Sequence, residues 1–322
     1  MRIVSLLPSA TEIVCALGLI DELVGVTDRS DWPPEVASIP VVTRRPPPGS
    51  GTGAHPWPGM LGAEADGAGA ASADALAHDA PGPGEIDLAA IAAIVAARPD
   101  LVLVRERCDA CGWRASGLVD AIRAAVVDAS VISLEPTTVE GILNSVTTIG
   151  AMTEAEDEAV GLVEMLRERM AEIGERVVMR RDAGARPARA VALSGLSPLT
   201  GSGHWLPDQV RRAGGWDLLG AAGEGAPSTS WAEIRDVDPE VLLVAPAGHT
   251  LAAAVGAWEA LPRPAFYGDL RAVRAGAVFA LDSGLWGRPG PRVIDGIATL
   301  AEILDPGAFA DVAVAGSWTP VT

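Results

Sequence analysis

The stretch that decides the fold is EAEDEAVGLVEMLRERMAEIGERVVMR, residues 154–180. Apolar residues recur in it at three- and four-residue steps from Val160 to Val177, the spacing of one face of an α-helix. Thr153 and Glu156 form a capping-box pattern at its start. At ~1.5 Å per residue such a helix is about 40 Å long, more than a crossover helix needs. We therefore predict a rigid backbone helix over residues 154–180 that joins two lobes.

Alternating strand and helix patterns flank this helix on both sides. The main predicted strands are Arg2–Leu7, Glu22–Val26, Leu101–Val104, Ser130–Leu134, Arg189–Ser194, Val241–Ala245 and Ala277–Leu281. Strands that alternate with helices are typical of parallel sheets covered by helices. We predict an α/β fold of two α/β lobes with central, mostly parallel sheets, joined by the long backbone helix, with a ligand cleft between the lobes.

These patterns divide the chain into an N-terminal lobe over residues 1–136, linking helices over 137–187 and a C-terminal lobe over 188–322. Within the first lobe, residues 46–84 are mostly Gly, Pro and Ala, with few bulky apolar side chains. Such a segment cannot bury enough surface to offset the entropy of ordering it. We predict a flexible insertion there, with a lid over a ligand as the alternative.

The composition excludes several classes of function. All 24 basic residues are arginine, which excludes enzymes that need a Schiff-base, phosphate-loop or kinase lysine. The 42 acidic residues give a net charge of −18, which disfavours nucleic acid as a partner. No apolar run approaches the ~20 residues of a transmembrane helix.

The N-terminal residues resemble a signal peptide only in part. Residues 3–7 are mostly apolar and follow Arg2, but Pro8, Thr11 and Glu12 interrupt the run, and no small-residue cleavage site follows. We predict instead the first strand and a helix that Ser9 and Glu12 cap. The expected location is cytoplasmic, or extracytoplasmic if a leader is missing from the sequence.

Tryptophans concentrate in the loops that follow the predicted strands, which is where ligands bind in folds of this kind. An indole offers a large flat apolar face and one hydrogen-bond donor, suited to a planar or macrocyclic ligand. The alternative is that these rings pack loop against loop. The candidate ligand-binding residues in these loops are Asp31, Trp32, Arg107, Trp113, His204, Trp205, Trp231, His249, Trp286 and Arg288.

Cys108 and Cys111 have the spacing of metal and redox motifs. One such pair supplies half of a structural zinc site, so a metal would need His204 or another loop as well. Redox chemistry would need the pair at a helix N-terminus, and packing is the third interpretation. His204 is either an axial ligand to a metal or a hydrogen-bonded loop anchor. Arg107 and Arg288 would bind ligand carboxylates or carbonyls, or else neutralise internal carboxylates.

Several stretches resemble one known superfamily. RIVSLLPSATE (residues 2–12) and GRPGPRVIDG (287–296) are similar to the opening and closing signatures of the helical-backbone metal receptors, the cobalamin- and iron-siderophore-binding proteins of ABC importers. The loops CDAC (108–111), GHW (203–205) and SWAE (230–233) resemble a cobalamin-binding subgroup that often lacks an export signal. This resemblance implies that Trp231 contacts the corrinoid. At residues 28–31 the subgroup has His-Glu-Cys-Asp, of which only Asp31 matches.

The residues and the resemblance together predict a soluble binding protein that holds a corrinoid or another metal chelate in the cleft. The expected bound group is cobalamin or a related corrinoid, with a divalent metal as a further candidate. An ABC permease is the expected partner if the protein is exported. The alternative is a metal- or thiol-dependent enzyme on the same fold that uses Cys108, Cys111 and His204.

Overall fold

The computed structural model describes residues 1–44, 88–108, 113–114, 116–310 and 312–322, with the backbone alone at 107, 108, 113, 114, 116 and 118. The predicted insertion and Cys111 therefore lie outside the described residues. The chain forms two compact units. Among the described residues, the first unit holds the chain up to Glu135 and Gly141–Val163, and the second holds Pro136–Glu140 and Glu164–Thr322.

The first unit contains a five-stranded parallel sheet with the order β3-β2-β1-β4-β7. Its strands are β1 (Ile3–Ser5), β2 (Leu23–Thr27), β3 (Val41–Thr43), β4 (Leu101–Val104) and β7 (Ser130–Ser133). Its helices are α1 (Pro8–Ala16), α2 (Leu88–Ala96), α3 (Ser116–Ala125) and most of α4 (Val139–Met152). Strands β5 (Arg107–Cys108) and β6 (Trp113–Arg114) pair antiparallel. All four residues of β4 are buried, which explains why they form an unbroken apolar run.

The second unit contains a larger sheet with the order β10-β8-β11-β12-β13, and β9 pairs with β8. Strands β8, β10, β11 and β12 are parallel, whereas β9 and β13 are antiparallel to their neighbours. The strands are β8 (Ala188–Leu196), β9 (Leu199–Gly201), β10 (Gly215–Asp217), β11 (Val241–Val244), β12 (Val278–Leu281) and β13 (Trp318–Pro320). The helices are α6 (Leu206–Arg212), α7 (Trp231–Val237), α8 (Leu251–Ala260), α9 (Arg271–Arg274), α10 (Ser283–Trp286) and α11 (Val293–Leu304).

The predicted backbone helix is α5 (Glu156–Asp182), which is 27 residues long. It begins two residues later than predicted because the Thr153 hydroxyl does not cap it. That hydroxyl donates instead to the Ile149 carbonyl of α4 at 2.8 Å, and Glu154 adopts a left-handed φ of 56°. Ion pairs hold the later turns of α5 within the second unit: Arg169 to Asp295 at 2.7 Å and Arg180 to Asp305 at 2.7 Å.

The first helix differs from the prediction in how it starts. Helix α1 begins at Pro8 with Leu7 as its N-cap, and Leu7 makes no side-chain cap. Proline suits the first helical position because its missing N–H would have had no helical partner there. Ser9 therefore lies inside the helix, and the predicted capping box is wrong. Within the part of the chain that the structure describes, no helix is both long and apolar enough to cross a bilayer.

Candidate functional site

The carboxyl edge of the second sheet, where its parallel strands end, is built from loops that hydrogen-bond to one another. The Ser194 hydroxyl at the end of β8 donates to the Gly201 carbonyl at 2.6 Å. The Ala247 amide after β11 donates to the Ser194 carbonyl at 3.0 Å, and the Ser283 amide after β12 donates to the His249 carbonyl at 3.1 Å. The loops after β8, β11 and β12 therefore form one connected surface.

Asp282 joins two helix starts at this edge. Its carboxylate accepts a hydrogen bond from the Leu251 amide at 3.1 Å, at the start of α8, and one from the Gly284 amide at 2.7 Å, in α10. Helix N-termini carry partial positive charge, and the Asp282 carboxylate already occupies both of these. His249 lies half-buried beside it, with Nδ1 3.0 Å from the Ala247 carbonyl, and Arg288 is also half-buried.

His204 lies in a tight loop whose backbone is fixed from both sides. Its amide donates to the Glu224 carbonyl at 2.7 Å, and its carbonyl accepts from the Gly223 amide at 2.9 Å. The residue has a left-handed φ of 56° and is 1% exposed. A Cβ on the preceding Gly203 would lie 2.7 Å from the Cα of Ala226, so this loop requires glycine. These contacts fix the backbone of the loop, and both interpretations of the His204 imidazole, metal ligand and loop anchor, stay predictions.

Three of the five candidate tryptophans belong to the second unit, and two of these three are buried. Trp205 is 0% exposed and Trp286 is 1% exposed. Trp205 Nε1 donates to the Trp286 carbonyl at 3.2 Å, and Gln209 Nε2 donates to the same oxygen at 3.1 Å. Both rings are buried in the folded chain and one hydrogen bond links the two residues, so the packing alternative is consistent with both.

Trp231 is half-buried and stands at the first position of α7, after the N-cap Ser230. A bridge between Thr200 and Ser228 brings the segment before it against β9, beyond the end of β8. The N-terminus of α7, where Trp231 stands, therefore lies toward the carboxyl edge of the second sheet. Sequence reasoning identified the residue but treated it as part of a loop, because the seven-residue helix behind it has too little periodicity to be recognised.

The Trp231 ring packs into a group that we call the aromatic cluster: Trp231, Trp258, Tyr267 and Arg263. The Trp231 centroid is 5.9 Å from that of Trp258 and 5.4 Å from that of Tyr267, which it meets edge to face. The Arg263 guanidinium lies 5.0 Å from the Trp258 ring and 4.9 Å from the Tyr267 ring. Sequence reasoning missed the last three members, because no local pattern links them to Trp231.

Asp217 is a buried carboxylate beneath the His204 loop. It accepts hydrogen bonds from the Ser202 hydroxyl and from the amides of Leu219 at 3.1 Å and Gly220 at 3.2 Å. Burial raises the pKa of the Asp217 carboxyl above its ordinary value, and these hydrogen bonds oppose that rise. Asp217 therefore ties the loop to the end of β10 through a group that is costly to ionise.

The carboxyl edge of the first sheet is organised around small hydroxyls. The Thr11 hydroxyl of α1 lies 3.0 Å from both the Ser5 and the Ser30 hydroxyls, which fixes the loop after β2 against the start of α1. Asp31 and Trp32 follow on this loop; Asp31 is exposed, and Trp32 is 45% exposed. The structure thus brings these two candidate residues together on one surface loop.

Arg105, which sequence reasoning passed over, is buried at the end of β4. Its Nε donates to the Leu134 carbonyl at 3.4 Å, and Nη2 has no hydrogen-bond partner among the described residues. The only available signal was a basic residue directly after a buried strand. The side chains of Arg107, Cys108 and Trp113 lie outside the described part of the structure.

Metal ligation by Cys108, Cys111 and His204 stays a prediction. Among the side chains that the structure describes, no three His, Cys, Asp or Glu groups come together as a metal site. The proposed thiol pair falls outside this set, since Cys111 and the side chain of Cys108 are not described. Burial raises the pKa of the Cys15 thiol to about 11, as expected for a helix cysteine with a packing role.

The chain is similar to several known proteins. The uncharacterized ABC transporter substrate-binding lipoprotein YvrC of Bacillus subtilis (strain 168) is 24% identical over 312 residues, covering 96% of this chain and 81% of that protein. A periplasmic heme-binding protein from Pseudomonas aeruginosa has 20% identity and a TM-score of 0.66, over 100% of this chain and 95% of the other. The periplasmic vitamin B12 binding protein BtuF of Vibrio cholerae has 20% identity and a TM-score of 0.61, over 95% and 96%.

The structural likenesses, at these identities, support the predicted fold and say nothing further about the ligand. The sequence match is more direct, because residues 3–285 match the family described as periplasmic binding protein. That match includes the first sheet, the backbone helix and every strand of the second sheet except β13. The chain therefore belongs to the periplasmic binding protein family.

Proposed function

We propose that the protein is the substrate-binding component of an ABC importer and captures a metal-containing macrocycle, a corrinoid or a heme, at the carboxyl edge of its second sheet. The observation that carries this proposal is the aromatic cluster, in which Trp231 remains partly exposed while the rings of Trp258 and Tyr267, both covered by the Arg263 guanidinium, hold it. A held, partly exposed indole suits stacking against a flat ligand, because little side-chain entropy is lost on binding.

A basic side chain at the same edge supports a ligand with acidic groups. The Asp282 carboxylate already accepts the Leu251 and Gly284 N–H groups at the starts of α8 and α10, so a ligand has to meet other groups. Heme carries propionates and cobalamin carries a phosphate, and a guanidinium binds both kinds of group. Arg288 and His249 border the same loops and are the proposed polar contacts. Asp31 and Trp32 on the first unit are proposed as weaker contacts, because their loop is exposed.

The resemblance favours a corrinoid as the ligand, whereas solved structures of similar fold include both a heme-binding and a vitamin B12 binding protein. We also infer an extracytoplasmic place of action with a permease as partner. The name of the Bacillus relative describes a lipoprotein of an ABC transporter, and the comparisons give no support to a cytoplasmic location.

A titration tests this proposal. The protein is mixed with cyanocobalamin, with heme and with a ferric hydroxamate while tryptophan fluorescence and visible absorption are recorded. We expect one of the two macrocycles to bind saturably, and Trp231→Leu to weaken it by about tenfold or more. Trp216→Leu is the matched control, since Trp216 is 64% exposed on the edge strand β10.

Two results would reject the proposal. One is the absence of saturable binding for both macrocycles while the protein is folded by circular dichroism. The other is equal affinity of Trp231→Leu and the parent protein for whichever macrocycle binds. Binding of the ferric hydroxamate alone would identify the ligand as a siderophore and not a macrocycle, which would also contradict the proposal.

A further inference from the structure

Arg105 is a buried arginine at the carboxyl end of the first sheet. It directly follows β4 and is 5% exposed. Its Nε donates to the Leu134 carbonyl at 3.4 Å, a long hydrogen bond, whereas Nη2 is buried and has no partner among the described residues. Buried arginines are normally paired or fully hydrogen-bonded, because burying an unpaired charge is costly. The Arg105 guanidinium therefore lacks the partner that its burial requires.

The two acidic residues beside Arg105 and Leu134 in the sequence have other partners. Glu106 accepts from the Arg123 guanidinium at 2.8 Å, and Glu135 accepts from the Ser133 hydroxyl at 2.7 Å. Arg105 itself forms no ion pair with any residue that the structure describes. In a chain with 42 acidic residues, this leaves one buried positive charge without a carboxylate.

Arg105 lies on the face of the first sheet that carries α1. Val104, the residue before it, belongs to one core cluster with Val119 and Ile122 of α3. Because successive side chains of a strand point to opposite faces, Arg105 points away from α3. Crossovers between parallel strands are right-handed, and the chain steps from β1 to β2 in one direction and from β4 to β7 in the other. Helices α1 and α3 therefore cover opposite faces, and α1 is on the side of Arg105.

The N-terminus of α1 lies next to Arg105. Strands β1 and β4 pair in parallel with Ser5 opposite Leu103, and the Leu6 amide extends the pairing by donating to the Leu103 carbonyl at 2.9 Å. Continued by two residues, this register places Leu7, the N-cap of α1, opposite Arg105 on a strand roughly 4.8 Å away. Strands β1 and β4 are thus the neighbours whose helices leave to opposite faces, which is where open α/β sheets bind ligands.

The first turn of α1 supplies hydrogen-bond donors at this corner. Its N-cap Leu7 makes no side-chain cap, and Pro8 has no N–H, so the amides of Ser9 and Ala10 are the first two donors of the helix. These residues are buried. The N–H groups at a helix start and its partial positive charge favour an anion. A helix start without a side-chain cap and a guanidinium with an unpartnered nitrogen therefore share one corner of the first unit.

We propose that this corner binds an oxyanion, a phosphate or a carboxylate group, between the Arg105 guanidinium and the first-turn amides of α1. The guanidinium holds it through charge-assisted hydrogen bonds and gives up at most the long bond to Leu134 when it turns toward the anion. The site lies within the first unit and shares no residue with the aromatic cluster or with the loops around Asp282. Two sources supply this chemistry, a free anion and an acidic group of the captured ligand, and the experiment below separates them.

Thermal scans with inorganic phosphate test the site. Arg105→Met removes the unpaired charge and keeps the apolar stem, so in Tris chloride buffer its melting temperature should equal or exceed that of the parent protein. At ~50 mM phosphate the parent should gain about 2–4 °C more than Arg105→Met. This difference is the measured quantity, because phosphate also stabilises proteins in general through exclusion from their surface. Arg123→Met is the control: that arginine pairs with Glu106, and its variant should respond to phosphate as the parent does.

A second arm identifies the source of the oxyanion. If it belongs to the captured macrocycle, Arg105→Met should weaken binding of heme or of cyanocobalamin by about fivefold or more. Binding of heme dimethyl ester or of cobinamide, which lack the acidic group, should stay within about twofold of the parent. Arg105→Gln keeps a polar side chain at this position and should behave like Arg105→Met in both arms, so that a folding defect in one variant does not decide the result.

Either of two results would overturn this inference. One is an equal response of the parent and Arg105→Met to phosphate, together with no macrocycle whose binding depends on Arg105. The other is a melting temperature of Arg105→Met more than about 2 °C below that of the parent in chloride buffer, because the guanidinium would then stabilise the fold by itself. Failure of the parent to bind any macrocycle would reject the transport proposal, whereas the phosphate arm would still decide this one.

Discussion

The carboxyl edges of the two sheets differ in how firmly they hold their indoles. In the first unit, Trp32 stands exposed on a loop that small hydroxyls fix near its base. In the second unit, Trp231 rests on two aromatic rings that Arg263 covers, beside loops that hydrogen-bond to one another. The second edge is therefore organised before a ligand arrives, whereas the indole of the first edge is 45% exposed. Preorganisation of this kind favours affinity.

The largest expected effect concerns the His204 loop, which defines the second edge. Gly203→Ala places a Cβ against the backbone of Ala226, which cannot move without breaking the loop. We expect the free energy of unfolding to fall by about 2–4 kcal/mol, measured by urea denaturation. Gly256→Ala is the matched control in α8, where a Cβ meets open space. There we expect a gain of up to about 1 kcal/mol. Equal behaviour of the two variants would show that the loop is not tightly packed.

The next effect tests whether Arg263 organises the aromatic cluster. Arg263→Met keeps the apolar stem but removes the charge over the rings of Trp258 and Tyr267, and the hydrogen bond to the Trp258 carbonyl. We expect a loss of about 1–2 kcal/mol in stability and a changed near-ultraviolet circular dichroism signal of the indoles. Arg235→Met, where the guanidinium lies 5.1 Å from the Phe266 ring outside the cluster, should leave that signal intact.

A pH series examines the carboxylate under the same loop. Because burial raises the pKa of Asp217 in the folded state, the unfolded chain releases this proton at lower pH than the folded protein does. The contribution of Asp217 to stability is therefore present at acid pH, below its unfolded pKa, and is lost as the pH rises through the raised value. Asp217→Asn cannot ionise, so the stability of the parent relative to this variant should fall as the pH rises.

Urea denaturation across a pH range measures this difference. Asp236→Asn, at an exposed carboxylate of α7, is measured in the same series as the control for an Asp-to-Asn change at the surface. A constant difference between the parent and Asp217→Asn at every pH would mean that Asp217 titrates alike in the folded and unfolded chains.

The sequence predicted the central strands of both units, because each is a short apolar run that is buried on both faces. Val241–Val244 is such a strand, and its predicted range differs by one residue. Both edge strands of the second sheet were missed: Gly215–Asp217 and Trp318–Pro320 are three residues each and gain their structure by pairing with β8 and β12. Local pattern carries no information about such pairing.

The site was only partly predictable for a related reason. A tryptophan in a loop after a strand is visible in the sequence, but its burial is decided by what packs on it. Trp205 and Trp231 look alike in the sequence, yet the first is enclosed and the second is half-buried. Trp258 and Tyr267 lie 27 and 36 positions after Trp231, and tertiary packing alone brings the three rings together.

The smallest expected effect completes the comparison on the first unit. Trp32 is 45% exposed, so Trp32→Leu removes little buried surface, and the free energy of unfolding should change by no more than about 0.5 kcal/mol. Because its loop is less enclosed, we expect macrocycle affinity to fall by no more than about threefold, against about tenfold for Trp231→Leu. Fluorescence titration of the two variants measures both values. A greater loss of affinity in Trp32→Leu than in Trp231→Leu would contradict this ranking of the two edges by their contribution to binding. It would mean that the exposed indole supplies the main contact, and not the indole held by the aromatic cluster.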